Sequence, residues 1–199
     1  MPIAYHIDRT LKLKEGQNLI LDTNFVFNDG LNQDFIKNFL PSGVSKHGEQ
    51  YLKDVLYYYY QPNFYLGVYE ATDALSMYIT EYTFELIRRT NYSSQPSRFQ
   101  SIFALPSLKS IESWPELETS SYQIFEIEYD QSKEWIYDGS YLLSGLGRSN
   151  PDDPFLMQGF SACLNFEYAN KYWKHEHSPD PKPEIILPLP QQIGKRIYI

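Results

Sequence analysis

The stretch YQIFEIEYD, residues 122–130, sets Phe125, Ile127 and Tyr129 on one face of an extended chain and Glu126 and Glu128 on the other. Successive strand side chains point to opposite sides, so a segment written this way has one face to bury and one to solvate. That is a half-exposed antiparallel strand, unlike the continuous apolar runs of a parallel sheet covered on both sides. Shorter alternating or apolar runs predict further strands at Ala4–Asp8, Asn18–Leu21, Ser101–Leu105, Trp135–Tyr137, Glu184–Leu189 and Arg196–Ile199.

Helical periods fall between these runs. From Thr72 to Arg89 the residues Leu75, Ile79, Tyr82 and Leu86 form a stripe, with Thr72 as N-cap and two arginines in the last turn. From Asp153 to Trp173 the cap is Asp153, Pro154 takes the first helical position, and Leu156, Phe160, Leu164, Tyr168 and Tyr172 form the stripe. A shorter helix is expected from Lys46 to Tyr58, and the proline-rich HEHSPDPKPE reads as a loop. Strands framed by helices without regular β-α-β alternation predict an α+β fold, and 199 residues fit a single domain, 1–199.

Composition narrows the function classes. Aromatics make up 17% of the chain and tyrosine alone contributes 18 residues, so many rings are expected half-buried or lining a groove. The net charge of −8 argues against sequence-independent nucleic-acid binding, which needs a cationic footprint. Cys163 is the lone cysteine, which excludes an intramolecular disulfide. No apolar run approaches the ~20 residues of a membrane span, and no charged-then-apolar signal pattern opens the chain. The expectation is a cytoplasmic protein, or an effector secreted without a cleavable signal peptide, with no membrane partner.

Three short segments carry residues suited to chemistry. In YHIDR, His6 and Asp8 share one strand face, and His6 is either a core histidine satisfied by a carbonyl or a group that holds ligand hydroxyls. In SRFQSIFA, residues 97–104, alternation would put Arg98 and Gln100 opposite Ser97, Phe99 and Ser101. Arg98 either ties a loop to carbonyls or offers its planar fork of donors to a pyrophosphate. Ser101 either satisfies a sheet edge or orients a carboxylate. In PEIILP, Glu184 opens an apolar strand, as a solvated strand end or as a carboxylate that stabilises a developing sugar cation. His175 and His177 flank Glu176, but no third or fourth ligand is evident, and no metal site is expected.

YHIDR, LPSGVSKHGEQYL, PSRFQSIFA, the helix ending YANKYW and PEIILP occur in an order that resembles a family of uncharacterised bacterial proteins with an ADP-ribosyltransferase-like fold. The resemblance runs from Tyr5 to about Ile197. It implies split antiparallel sheets with flanking helices around a cleft for NAD, which serves as co-substrate. It implies a glycosyltransferase-class enzyme that passes ADP-ribose to a protein or nucleic-acid acceptor, or to water as a glycohydrolase. A toxin, effector or phage-defence role follows, with an antitoxin or immunity protein as a further partner. A non-catalytic nucleotide- or peptide-binding module on the same fold is the reading from a different class.

The resemblance also assigns roles. His6 would anchor ligand from the first strand, where many toxins read Tyr-Arg-x-Asp, and Glu184 would be the catalytic carboxylate. Ser101 would take the serine role of the cholera-toxin-like branch. SIFA would match the middle strand that reads Tyr-Phe-Ala in the diphtheria-toxin and poly-ADP-ribose polymerase branch. Ile102 stands where that branch has a tyrosine. Trp114 or a nearby tyrosine would supply the missing ring, and Arg9, Arg98 and Phe103 would complete the NAD contacts. Glu126 and Glu128 have the spacing of paired glutamates in arginine-modifying toxins but come too early in the chain.

Overall fold

A computed structural model of the chain describes residues 1–25, 33–52, 64–130, 136–143 and 162–198. Its strands, in chain order, are β1 (Ile3–Asp8), β2 (Asn18–Leu19), β3 (Ser101–Ala104), β4 (Gln123–Glu128), β5 (Ile136–Asp138), β6 (Pro183–Pro188), β7 (Gln191–Gln192) and β8 (Arg196–Ile197). Its helices are α1 (Gln33–Phe39), α2 (Lys46–Leu52), α3 (Phe64–Asn91), α4 (Ser140–Leu143) and α5 (Ala162–Trp173). The fold is α+β, with small antiparallel sheets ordered β1-β4-β8, β2-β7 and β3-β6-β5.

Each predicted strand is present, shortened or shifted by a residue or so. The opening YQIFEIEYD forms β4, with Phe125 and Ile127 buried and Glu128 exposed, and it pairs with β1 in the register His6 with Phe125. The sheets of β1 and β3 touch at one bridge, Tyr5 with Leu105, whose two amides exchange hydrogen bonds of 2.9 and 2.8 Å. No other backbone pairing joins β1 to β3 among the described residues.

Two apolar cores lie on opposite faces of the β3-β6-β5 sheet. Ala104, Ile185 and Leu187 pack with Ala4, Phe125 and Ile127 of the first sheet. Ile186 and Tyr137 pack with Phe84 and Ile87 of α3 and with Ala169, Tyr172 and Trp173 of α5. A third cluster gathers Leu40, Val44, Tyr51 and Leu52 around Phe99.

The helices correct the sequence reading most. α3 begins before Thr72, so that residue does not cap it. Of its expected core stripe, Ile79, Tyr82 and Leu86 are exposed at 38%, 37% and 52%, and the side chain of Leu75 lies outside the described residues. The buried face is instead Thr80, Glu81, Phe84, Glu85, Ile87 and Arg88. Charged residues turn inward because partners of opposite charge await them there, an outcome that apolar periodicity cannot register. On α5, Tyr172 is fully buried as expected but Leu164 is 38% exposed, and Asn165, Ala169 and Trp173 complete the inner face. Asp153, Pro154, Leu156 and Phe160, and the far end of the helix expected from Lys46 to Tyr58, lie outside the described residues.

Candidate functional site

Arg98 sits at the centre of the polar interior. The chain does not enter β3 extended, as alternation predicted. Residues Arg98–Gln100 form a single 3-10 turn, and this turn drops the guanidinium between α3, α5 and β6. Nε and Nη2 donate to Glu81 Oε2 and Oε1 at 2.8 and 2.9 Å, and Nη1 donates to Glu184 Oε1 at 2.7 Å and to the Tyr172 hydroxyl at 2.6 Å. The guanidinium also lies over the Phe103 ring, 4.4 Å from its centroid. Arg98, Glu81 and Glu184 are all within 5% exposure, so these charges meet with little water between them. Burial alone would raise the Glu81 carboxyl, but the charges of Arg98 and His47 outweigh it and hold the group far below the usual carboxylate range. Burial works against the charged form of Arg98 as well, and Glu81, Tyr172 and Glu184 more than restore it.

Four of the five N–H groups of Arg98 are engaged and the side chain is buried against two carboxylates, which leaves one enclosed N–H for the pyrophosphate role expected of it. The loop-tie role falls to a neighbour. Arg88 grips Glu85 through Nε and Nη2 at 2.9 and 2.8 Å and donates from Nη1 to the carbonyl of Gln95 at 2.9 Å, while the Ser97 hydroxyl donates to Glu85 at 3.0 Å.

Glu184 is bound at one oxygen. Its Oε1 accepts from Arg98 and, at 2.6 Å, from the Tyr172 hydroxyl. Oε2 accepts nothing from the described residues, and the side chain keeps a narrow opening to solvent, 6% exposed. Tyr172 is fixed for this task by its stack on Tyr137, with centroids 4.8 Å apart, and by burial, which pushes its hydroxyl well above the ordinary range. Neither Tyr172 nor Glu81 was picked out in the sequence. Each looked like an ordinary member of an amphipathic helix.

His6 reaches the same segment from β1. Its Nδ1–H donates to the carbonyl of Phe103 at 2.6 Å, which leaves Nε2 as an acceptor unused by the described residues. Burial lowers its pKa from 6.5, only partly offset by the Phe103 carbonyl and by Asp8, so the ring is neutral near pH 7. A neutral ring of this tautomer accepts from a ligand hydroxyl at Nε2 and does not donate there. His6 and Glu184 do not face each other. His6 shares its strand face with Ala4 of one core, and Glu184 shares its face with Ile186 of the other. They meet the 97–104 segment from opposite sides.

The remaining predicted residues scatter around this centre. The Ser101 hydroxyl is spent on the carbonyl of Ser97 at 2.7 Å, inside the turn, so it does not orient Glu184. Trp114 packs over Gly139, where a Cβ would stand 2.6 Å from the indole, and its N–H points at the carbonyl of Pro183 at 3.4 Å, one residue from Glu184. Arg9 is exposed just past β1, and its charge is felt at Tyr51. His175 is held by the carbonyl of Ile136 at 2.9 Å, and among the described residues no group of three or more His, Cys, Asp or Glu side chains could hold a metal ion.

His47 lies on α2 inside LPSGVSKHGEQYL and was not singled out. Ser45 caps this helix, its hydroxyl accepting from the Gly48 amide at 3.1 Å, and its own amide donates to the carbonyl of Phe99 at 2.8 Å. Gly48 allows close approach, since a Cβ there would stand 2.4 Å from that carbonyl oxygen. The helix is thus seated on the turn that carries Arg98. His47 Nε2 lies 3.3 Å from Glu81 Oε1 without hydrogen-bond alignment, and its ring stands edge-on to Phe103 at 4.6 Å and tilted to Tyr51 at 4.8 Å.

The structure is therefore an α+β chain organised around one arginine shared by two buried glutamates. A family model described as a protein of unknown function (DUF2441) matches residues 4–197. The chain belongs to the DUF2441 family. No curated protein matches it.

Proposed function

We propose that this chain is an NAD-dependent ADP-ribosyltransferase with an ADP-ribosyltransferase-like fold. The observation that carries the reading is the order of three strands in space. β1 bridges to β3, and β3 pairs with β6, so the strands bearing His6, Ser101 with Phe103, and Glu184 are consecutive neighbours although they lie far apart in the chain. In this reading NAD spans both sides of the 97–104 segment, with the Nε2 of His6 accepting from a ribose hydroxyl on one side and Glu184 at the nicotinamide end on the other. Exposed Arg9 takes over the pyrophosphate role expected of Arg98, and Phe103 and Trp114 supply ring surface. Nicotinamide leaves through an oxocarbenium-like transition state, and Glu184 stabilises that charge through Oε2, its Oε1 being held by Arg98 and Tyr172. A protein or nucleic-acid acceptor, or water, then takes the anomeric carbon.

The test is incubation of the purified chain with labelled NAD, with and without lysate. Label on protein or nucleic acid, or release of ADP-ribose, is expected for the wild type and is lost in Glu184→Gln, whose amide keeps the shape without the charge. Glu126→Gln and Glu128→Gln should retain activity, because their side chains lie on the face of β4 opposite Phe125, the residue that pairs with His6. A second reading draws on the Arg98–Glu184 pair, which neutralises the carboxylate the reaction needs: a non-catalytic module that holds a nucleotide or peptide. NAD that binds without being consumed, equally in wild type and Glu184→Gln, would select it.

A further inference from the structure

We propose that His47 and Glu81 form an acid–base dyad, with His47 as the proton acceptor for a hydroxyl nucleophile at this site. The assignment of the nucleophile rests on the NAD reading above; the dyad does not. Glu81 lies behind the ring at 6% side-chain exposure and His47 in front at 20%, with Nε2 and Oε1 3.3 Å apart. Nδ1 makes no hydrogen bond to any described residue, so it is the nitrogen free to meet a substrate. The contact is not aligned as a hydrogen bond in this structure, so the carboxylate acts through its charge, which at 3.3 Å favours the proton on Nε2 and stabilises the imidazolium once it forms.

Glu81 is well suited to that role because its two oxygens are clamped by Arg98 at 2.8 and 2.9 Å, so it cannot turn away. The ring is held too. Phe103 and Tyr51 flank it, and the Ser45 cap and Gly48 contact fix α2 against the turn. Glu81 from α3 faces His47 with Arg98 behind it, and Tyr51 of its own helix touches the ring; Tyr51 in turn feels the charges of Glu81, Arg98 and Arg9 and the neighbouring Tyr78. In the step itself the acceptor oxygen bonds to the anomeric carbon. The glycosidic C–N bond breaks with its electron pair on nicotinamide, which leaves neutral, and the hydroxyl proton passes to Nδ1 of His47. No oxidant, reductant or metal is needed. The acceptor class this implies is a hydroxyl, or water, which needs a base, in preference to a thiolate.

Two measurements on the full chain separate the dyad from the NAD reading. Long-range proton–nitrogen correlation spectra of nitrogen-15-histidine protein should show neutral His47 protonated at Nε2 and bare at Nδ1; the opposite tautomer overturns the dyad without any variant. Acylation by diethylpyrocarbonate, followed by mass spectrometry, should label His47 several-fold faster than in Glu81→Gln protein shown to be folded by thermal melting. Equal rates overturn the dyad whatever NAD does. With NAD and water as substrates, His47→Ala should lose about 100-fold in cleavage rate and recover part of it with added imidazole. An unimpaired His47→Ala enzyme overturns the assignment of His47 as base. If labelling depends on Glu81 but no NAD is consumed by the wild type, the NAD reading and the hydroxyl acceptor fall together, and the dyad stands.

Discussion

A guanidinium that serves two carboxylates at once makes each of the three residues depend on the others. Removing Arg98 leaves Glu81 and Glu184 facing one another's charge with almost no water to screen it. Arg98→Met should therefore cost about 3–5 kcal/mol, the usual penalty for breaking a buried pair by deleting one partner. Arg98→Lys should recover little, because a single ammonium cannot reach Glu81 through two parallel bonds and still meet Glu184 and Tyr172. Urea denaturation of the two variants checks this. A lysine variant as stable as the wild type would mean that charge alone, without the planar fork, holds the centre. The residues visible in the sequence were those at punctuated positions: His6 in a short strand, Arg98 after a proline, Glu184 at a strand mouth. Glu81 and Tyr172 were not, because nothing in an isolated helix repeat reveals that a charge or hydroxyl has a distant partner.

At the scale of elements, the strands were easier to read than the helices. A strand's faces are set by a two-residue period, and β4 obeys it; a helix rotates by 100° per residue, so a stripe shifted by one or two positions still looks amphipathic. That is how Ile79, Tyr82 and Leu86 could be read as core while Glu81, Glu85 and Arg88 took the inner face. The consequence is testable. Leu86→Gln should change stability by no more than about 0.5 kcal/mol, as for other surface substitutions, whereas a leucine in the core would be costly to replace. Gly48 offers the converse case. An added methyl would meet backbone, which cannot rotate away, at 2.4 Å. Gly48→Ala should cost about 1–3 kcal/mol, even though alanine is the better helix former, and should loosen α2 from the turn that carries Arg98. Hydrogen exchange at the Ser45 amide, bonded to Phe99, would report the loosening directly.

Across the whole molecule, acid should act in two stages, because groups of two kinds have their pKa lowered by folding. His6 is neutral in the fold, where burial outweighs the carbonyl of Phe103 and the charge of Asp8, so its folded pKa lies below 6.5. The unfolded chain binds that proton more readily, and stability conferred by the neutral ring is present above about pH 6.5 and declines as pH falls toward the folded value. The carboxylates respond later. Burial would raise Asp8, but the hydroxyl of Thr10 and the amides of Leu13, Thr10 and Lys12 lower it on balance. Asp138 is lowered in the same way by the amides of Ser178 and Lys182 and by Ser140, and Glu81 by Arg98 and His47. Their stabilisation is present above the ordinary carboxylate value near pH 4 and lost as pH drops through the folded values. Urea midpoints measured from pH 8 to pH 3 should thus begin to fall gently below about pH 6.5 and fall steeply below about pH 4. His6→Gln, which keeps a donor for the Phe103 carbonyl without a titrating ring, should remove the first decline and leave the second. Asp8→Asn should do the reverse, weakening the protein at neutral pH and making the acid limb shallower. If His6→Gln leaves the first decline intact, the contact of His6 with the Phe103 carbonyl is not where that proton is felt.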